Sequence, residues 1–286
     1  MAAAGGRAPV LIMAAIRRAF ADLSIGQVHY ASCGDSRRPA VLLLHQTPRS
    51  WAEYREVLPL VGEEFCAIAI DTPGFGDSAP LPGSACIEGW AQVAVELLDA
   101  LSIAKAHVVG HHTGGVIAME IAATFPTRVA SLVLSSTPFT DDEFRRARRE
   151  HPPIDAVEPR PDGSHLTALW QRRQPFYPQG RPDLLEAFVR DALKVSGEVE
   201  AGHRAVASYR MEQAIGRIVQ PTLLIRASDD PFASPHIAAL QAHLREASVV
   251  TIEGGMVPMP DQLPQAFANA LLVFIRAQSS SVPPPR

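Results

Sequence analysis

Two adjacent histidines inside a glycine frame are the residues of this sequence best placed to do chemistry. The stretch VVGHHTGG begins at Val108, and Gly110 and Gly114 flank it with the G-x-Nu-x-G spacing of a nucleophile elbow. Such an elbow is a strained strand-to-helix turn that pushes its central side chain into a pocket. Here the central residue is His112, an imidazole where a serine hydroxyl is expected. An imidazole titrates near neutral pH and reaches further than a hydroxymethyl group. It can act as a general base, or it can be acylated and then cleared by water.

A turn of this kind needs a buried strand before it and a helix after it. The run at 106–109 is strand-like and the run at 115–125 has helical spacing, so both conditions are met. The same alternation recurs along the chain. Strands are expected at 27–32, 40–44 (AVLLL), 65–70 (FCAIAI), 107–109, 131–134, 222–225 and 249–252, and helices at 51–61, 90–101, 115–125, 235–245 and 265–277. Apolar runs without alternation fit strands buried on both faces, as in a parallel sheet with helical crossovers. In such α/β sheets ligands bind at the carboxyl ends of the strands.

The alternation stops between 140 and 217. That stretch holds the helix-like pieces DDEFRRARREH, GSHLTALWQRRQPFY and PDLLEAFVRDALK, and reads as an all-helical cap. The expected organisation is a disordered extension at 1–16, a core at 17–139 and 218–278, the cap at 140–217, and a disordered tail, SSSVPPPR, at 279–286. The apolar run at 8–16 echoes a signal peptide, but Arg17 and Arg18 follow it and no small-residue cleavage site appears. Arg145, Arg146, Arg148, Arg149 and Glu150 are expected on a solvated helix face, with an anion site as the alternative.

Composition narrows the partners. The 286 residues are 47% hydrophobic and 20% charged, with a net charge of -4 and a pI near 6.2. Nothing basic is offered to nucleic acid or an anionic membrane, and a small-molecule substrate remains. Cys33, Cys66 and Cys86 have no metal-ligand or disulfide spacing, which points to a reducing cytoplasm and no metal. Gly74-Phe75-Gly76 lacks the third glycine of a dinucleotide site, so no cofactor is expected. A homodimer is compatible with such a fold and is not decided by the sequence.

Five motifs in order carry a family resemblance. LLLHQTPRSW from Leu42, AIDTPGFGDS from Ala69, VVGHHTGG from Val108, LLIRASDDPFASP from Leu223 and IEGGMVPMPDQLPQAF from Ile252 resemble the oxyanion loop, the D-x-P-G-x-G-x-S turn, the elbow, the acid loop and the histidine loop of the α/β-hydrolase superfamily. The resemblance implies a mostly parallel twisted sheet flanked by helices, with a helical cap insertion. It implies that Asp230 is the acid, with Asp229 one position away as the alternative. It implies an oxyanion hole from the backbone N–H groups of Thr47 and Thr113.

The departures from the family matter as much. Met256 stands where the family has its base, so serine and histidine are both missing from the relay. Acyl-serine hydrolysis by the usual route is excluded. If the His112 ring extends into the vacated space, one nitrogen can meet Asp230 while the other acts as the base. His45 and His111 are expected to be structural, and Gln46 either enters the pocket or turns outward. Phe139, Trp170, Phe176, Tyr177 and Trp51 are candidate pocket walls, with core packing as the alternative.

A base and an oxyanion hole without a covalent nucleophile suit hydrolysis of a small apolar ester, lactone or diketone. They also suit a lyase, cyclase or decarboxylase of secondary metabolism. A catalytically inactive member that binds a small ligand is the reading from another class.

Overall fold

The computed structural model describes residues 15–279. Most of the expected extension and tail, residues 1–14 and 280–286, lies outside the described residues. Eight strands form one sheet: β1 (Arg17–Leu23), β2 (Gly26–Cys33), β3 (Ala40–Leu44), β4 (Cys66–Ile70), β5 (Ala106–His111), β6 (Val129–Ser135), β7 (Thr222–Ala227) and β8 (Ala247–Ile252). Their order is β1-β2-β4-β3-β5-β6-β7-β8. β1 and β2 pair antiparallel, as do β2 and β4, and every other neighbour is parallel.

The all-apolar strands form because both sides are covered. Leu42 and Leu44 of β3 point into one cluster with helices α2 (Ile87–Ala100) and α3 (Thr113–Thr124), while Val41 and Leu43 point into another with α1 (Val57–Gly62) and α10 (Pro264–Ser279). That is the period of two expected of a strand between two helical layers. β1 is a departure from the expected elements. Arg17–Leu23 is exposed at alternate positions and pairs only with β2, so it lacks the apolar continuity that marks the inner strands. The expected helix at 51–61 is split into a short 3-10 turn at Trp51–Tyr54 and α1.

Between β6 and β7 come α4 (Asp142–Glu150), α5 (Ser164–Arg173), α6 (Pro182–Ala192) and α7 (Ala201–Ser208). Leu169 of α5 and Leu184, Leu185, Phe188 and Ala192 of α6 make a third cluster, into which Val257 of the β8–α10 connection also inserts. Buried charge ties these helices to the sheet layer. Arg49 Nε donates to Asp191 of α6 at 2.9 Å, and its Nη2 donates to Asp261 at 2.6 Å. Glu53 lies near the same guanidinium, and burial raises its pKa to about 7 despite that attraction. The Arg-rich helix α4 corrects one expectation. Arg145 is buried, donating to Glu212 and to the Thr140 and Tyr209 carbonyls, because acceptors distant in sequence surround it.

Candidate active site

The elbow between β5 and α3 forms as its spacing predicts. His112 has φ 48° and ψ −113°, a strained conformation for a residue with a β-carbon. Its flanking glycines are sterically required. A Cβ on Gly110 would lie 2.0 Å from the Gly114 carbonyl oxygen, and one on Gly114 would lie 1.9 Å from that of Leu44. The close passage of β3, β5 and α3 therefore fixes both glycines, and with them the direction of His112.

The His112 ring reaches the acid loop. Its Nε2 stands 2.7 Å from Oδ2 of Asp230, whose carboxylate is fully enclosed. The separation is that of a hydrogen bond while the angle falls short of a straight one, so the two atoms are in close polar contact. The other oxygen of Asp230 accepts the Phe232 N–H at 2.9 Å. Burial pushes the Asp230 carboxyl up, but the charge of His112, its hydrogen bonding and the Phe232 N–H together outweigh it, and the pKa is held down at about 2. Asp229 is exposed and takes the Ser228 hydroxyl.

The Nδ1 atom of His112 has no partner among the described residues, and the ring borders a cavity of about 310 Å³. Thr47 and Thr113 line the same space, their hydroxyls 2.9 Å apart. Neither backbone N–H has an acceptor among the described residues. Gln46 also lines the cavity, its side-chain amide donating to Glu53 at 2.5 Å.

The other two histidines of the motif region brace the loops. The Val257 carbonyl can only accept, so Nε2 of His111 carries the proton donated to it at 2.8 Å, and Nδ1 accepts from Ser135 at 2.9 Å. Burial, and then the charge of His112, lower its pKa to about 3. The rings of His111 and His112 meet edge to face. His45 donates from Nδ1 to the Gln46 carbonyl at 2.7 Å and accepts the Thr72 N–H at 2.9 Å. Neither His45 nor His111 borders the cavity.

Met256 is half-buried and absent from the cavity wall, with its N–H donating to Gln262. The loop around it keeps its tie to the acid loop through Asp229 N–H and the Gly255 carbonyl, 2.9 Å. Among the described residues, Met256 forms no hydrogen bond with Asp230, and His112 is what meets Oδ2 of that residue.

The aromatic candidates need correction. Phe139 is buried against His243, Tyr177 packs on Phe188, and Trp170 supports the α5–α6 cluster. Trp51 is in the core under α1, and Phe176 lies against Phe232. None of the five borders the cavity, because ring chemistry alone does not tell which side of an element it faces. The walls are instead apolar residues such as Phe144, Ile154, Val206, Phe232 and Val257, together with Arg148, Arg173 and His203 from the cap. The cap's polar contribution had no signal in the sequence beyond its general charge.

The family model for the alpha/beta hydrolase fold matches residues 39–255. The chain belongs to the α/β-hydrolase family. It is 29% identical over 233 residues to 2-hydroxy-6-oxononadienedioate/2-hydroxy-6-oxononatrienedioate hydrolase 1 of Dechloromonas aromatica (strain RCB), covering 74% of this chain and 76% of that protein. Mouse (Mus musculus) epoxide hydrolase 4 is 32% identical over 112 residues, 38% of this chain and 31% of its own length, so that match is to a part. Among solved structures, the enol-lactonase from Burkholderia xenovorans LB400 superposes with a TM-score of 0.75 at 19% identity, covering 90% of this chain and 100% of that one. That likeness concerns the fold. Among the described residues no helix is long and apolar enough to cross a membrane.

Proposed function

We propose that this α/β-hydrolase family member is an enzyme in which His112, oriented by Asp230, is a general base toward water at the carbonyl of a small, largely apolar ester, lactone or diketone. The observation that carries the reading is the 2.7 Å contact between Nε2 and Asp230, which leaves Nδ1 unpaired on a ring that borders the same cavity as Thr47 and Thr113.

The chemistry runs as follows. The Asp230 carboxylate favours the tautomer with the proton on Nε2, so the lone pair sits on Nδ1. A water held at Nδ1 gives up its proton as its oxygen attacks the carbonyl carbon. The oxyanion that forms is received by the two amides, each such donor contributing about 3 kcal/mol to the transition state. The tetrahedral centre then collapses with release of the leaving group. No serine and no second loop histidine are needed. The apolar walls set the substrate's body and exclude bulk water.

The name of the 29%-identical relative, a 2-hydroxy-6-oxononadienedioate/2-hydroxy-6-oxononatrienedioate hydrolase, supports a hydrolytic reaction. The test is a substrate panel of p-nitrophenyl esters, lactones and 1,3-diketones against the wild type, His112→Gln and Asp230→Asn. Turnover by the wild type that both variants lose supports the reading. Turnover of a 1,3-diketone by proton removal, without cleavage, would place the enzyme among the lyases and cyclases instead. Tight binding of panel members without turnover would make it a binding protein.

A further inference from the structure

The cavity contains a second histidine–carboxylate pair, contributed by the cap. His203 of α7 places its Nε2 2.7 Å from Oδ2 of Asp155, a fully buried carboxylate. Arg173 of α5 holds the same carboxylate from the other side, its Nε donating to Oδ1 at 2.6 Å, and its Nη2 lies 3.3 Å from the His203 ring. The Asp155 N–H is in turn fixed by Glu200 at 2.8 Å. The His203 ring lines the cavity that His112 lines from below. Its Nδ1 has no partner among the described residues.

The two pairs share an arrangement, although Asp155 is also held by the Arg173 guanidinium. In each, Nε2 faces a buried carboxylate and Nδ1 is unclaimed. The cap helix is also pressed onto the oxyanion loop. A Cβ on Gly202 would come 2.4 Å from Cγ2 of Thr47, so α7 sits against that threonine at a distance only glycine permits. His203 is the next residue in the chain, and its ring borders the same cavity as Thr47. His203 also borders an outer cleft together with Arg148, His151, Glu200 and Arg204, and that cleft gives it a path for proton exchange with solvent.

We propose that His203, held by Asp155 and Arg173, is the general acid that protonates the leaving group when the tetrahedral centre collapses. The inference rests on the His112 reading for the first half of the reaction. Water loses one proton to Nδ1 of His112 as its oxygen bonds to the carbonyl carbon. The bond from carbon to the leaving oxygen then breaks, and that oxygen takes the proton from Nδ1 of the His203 imidazolium. The products are an acid and an alcohol. His112 returns its proton to solvent, and His203 regains one through the outer cleft. In the imidazolium, Nε2–H stays on Asp155, so the carboxylate orients the ring in both states. The protonated His112 can also return its proton to a leaving oxygen, and the second dyad on the same cavity assigns that step to a separate donor.

The experiment is a leaving-group series, p-nitrophenyl, phenyl and ethyl acetate, measured with the wild type, His203→Gln and His112→Gln, each checked by thermal melting. A p-nitrophenolate departs without a proton and an ethoxide does not. His203→Gln is expected to change p-nitrophenyl acetate turnover by less than about 3-fold and to lower kcat for ethyl acetate by about 100-fold or more, in the range of general acid catalysis. Added imidazole should then restore ethyl acetate turnover in His203→Ala. An equal loss across the series, or no loss anywhere, overturns the proposal. So does a rise in KM with kcat unchanged, which would make His203 a binding group. If His112→Gln keeps full activity toward p-nitrophenyl acetate, the base reading fails by itself, while the leaving-group dependence of His203→Gln is still measured.

Discussion

A positive φ at His112 costs about 1–3 kcal/mol and persists because the surrounding backbone leaves it no alternative. The return on that strain is direction. The elbow delivers the imidazole to Asp230, whose Oδ2 it meets at 2.7 Å. Because the two residues act as one unit in the proposed mechanism, their substitutions should not add. His112→Gln and Asp230→Asn are each expected to lower kcat by about 100-fold to 10,000-fold. The double variant should be no worse than the weaker single, as measured on whichever panel substrate the wild type turns over. Additive losses would mean that the residues contribute separately.

At the scale of elements, close approach governs the site. Gly114→Ala would put a methyl group against the Leu44 carbonyl, with backbone on both sides and no side chain free to yield. We expect a loss of about 3 kcal/mol or more in stability, read from urea unfolding. Arg49 presents the opposite problem, a buried cation that balances Asp191, Asp261 and Glu53. Arg49→Met should cost about 3–5 kcal/mol by stranding those carboxylates, and loosen α6 from the sheet layer. Faster proteolysis within 140–217 than elsewhere would report that loosening.

Element by element, the sequence was readable where burial is complete and local. AVLLL shows strand β3 at its observed limits because both faces of the sheet are covered. The elbow was legible because its glycines are forced by backbone contact. Helix α7 was not legible. AGHRAVAS is eight residues long with no side-chain cap, and it buries only Gly202, Ala205 and Val206. Its role depends on Thr47 and Asp155, which are distant in sequence. For the same reason the buried state of Arg145 and Arg173 could not be read from a charge run, since their partners Glu212 and Asp155 lie 67 and 18 residues away.

Over the whole molecule, three buried histidines are held neutral. Burial lowers the pKa of His107 to about 4 and of His111 to about 3, and lowers that of His45 as well. For a base with a depressed folded pKa, the unfolded chain binds the proton first. Stability is therefore full above the unfolded value of about 6.5 and falls as pH drops below it, by up to about 1.4 kcal/mol per pH unit for each ring. Glu53 works against this trend, because its raised pKa makes folding less favourable as pH rises from about 4.5 toward 7. Burial lowers the pKa of His236 as well and raises that of Asp261 like that of Glu53, and four rings outweigh two carboxyls, so the melting temperature should fall between pH 7 and pH 5. A flat or rising profile would show that these rings are protonated in the folded protein.

The most direct test of the central claim concerns one proton. Long-range proton–nitrogen correlation spectra of labelled protein, with His112→Gln used for assignment, report which ring nitrogen of His112 carries hydrogen when the ring is neutral. The account predicts Nε2–H toward Asp230 and a bare Nδ1 toward the cavity, with that preference lost in Asp230→Asn. A proton on Nδ1 in the wild type would contradict it, since the cavity would then face a donor where the mechanism requires a base.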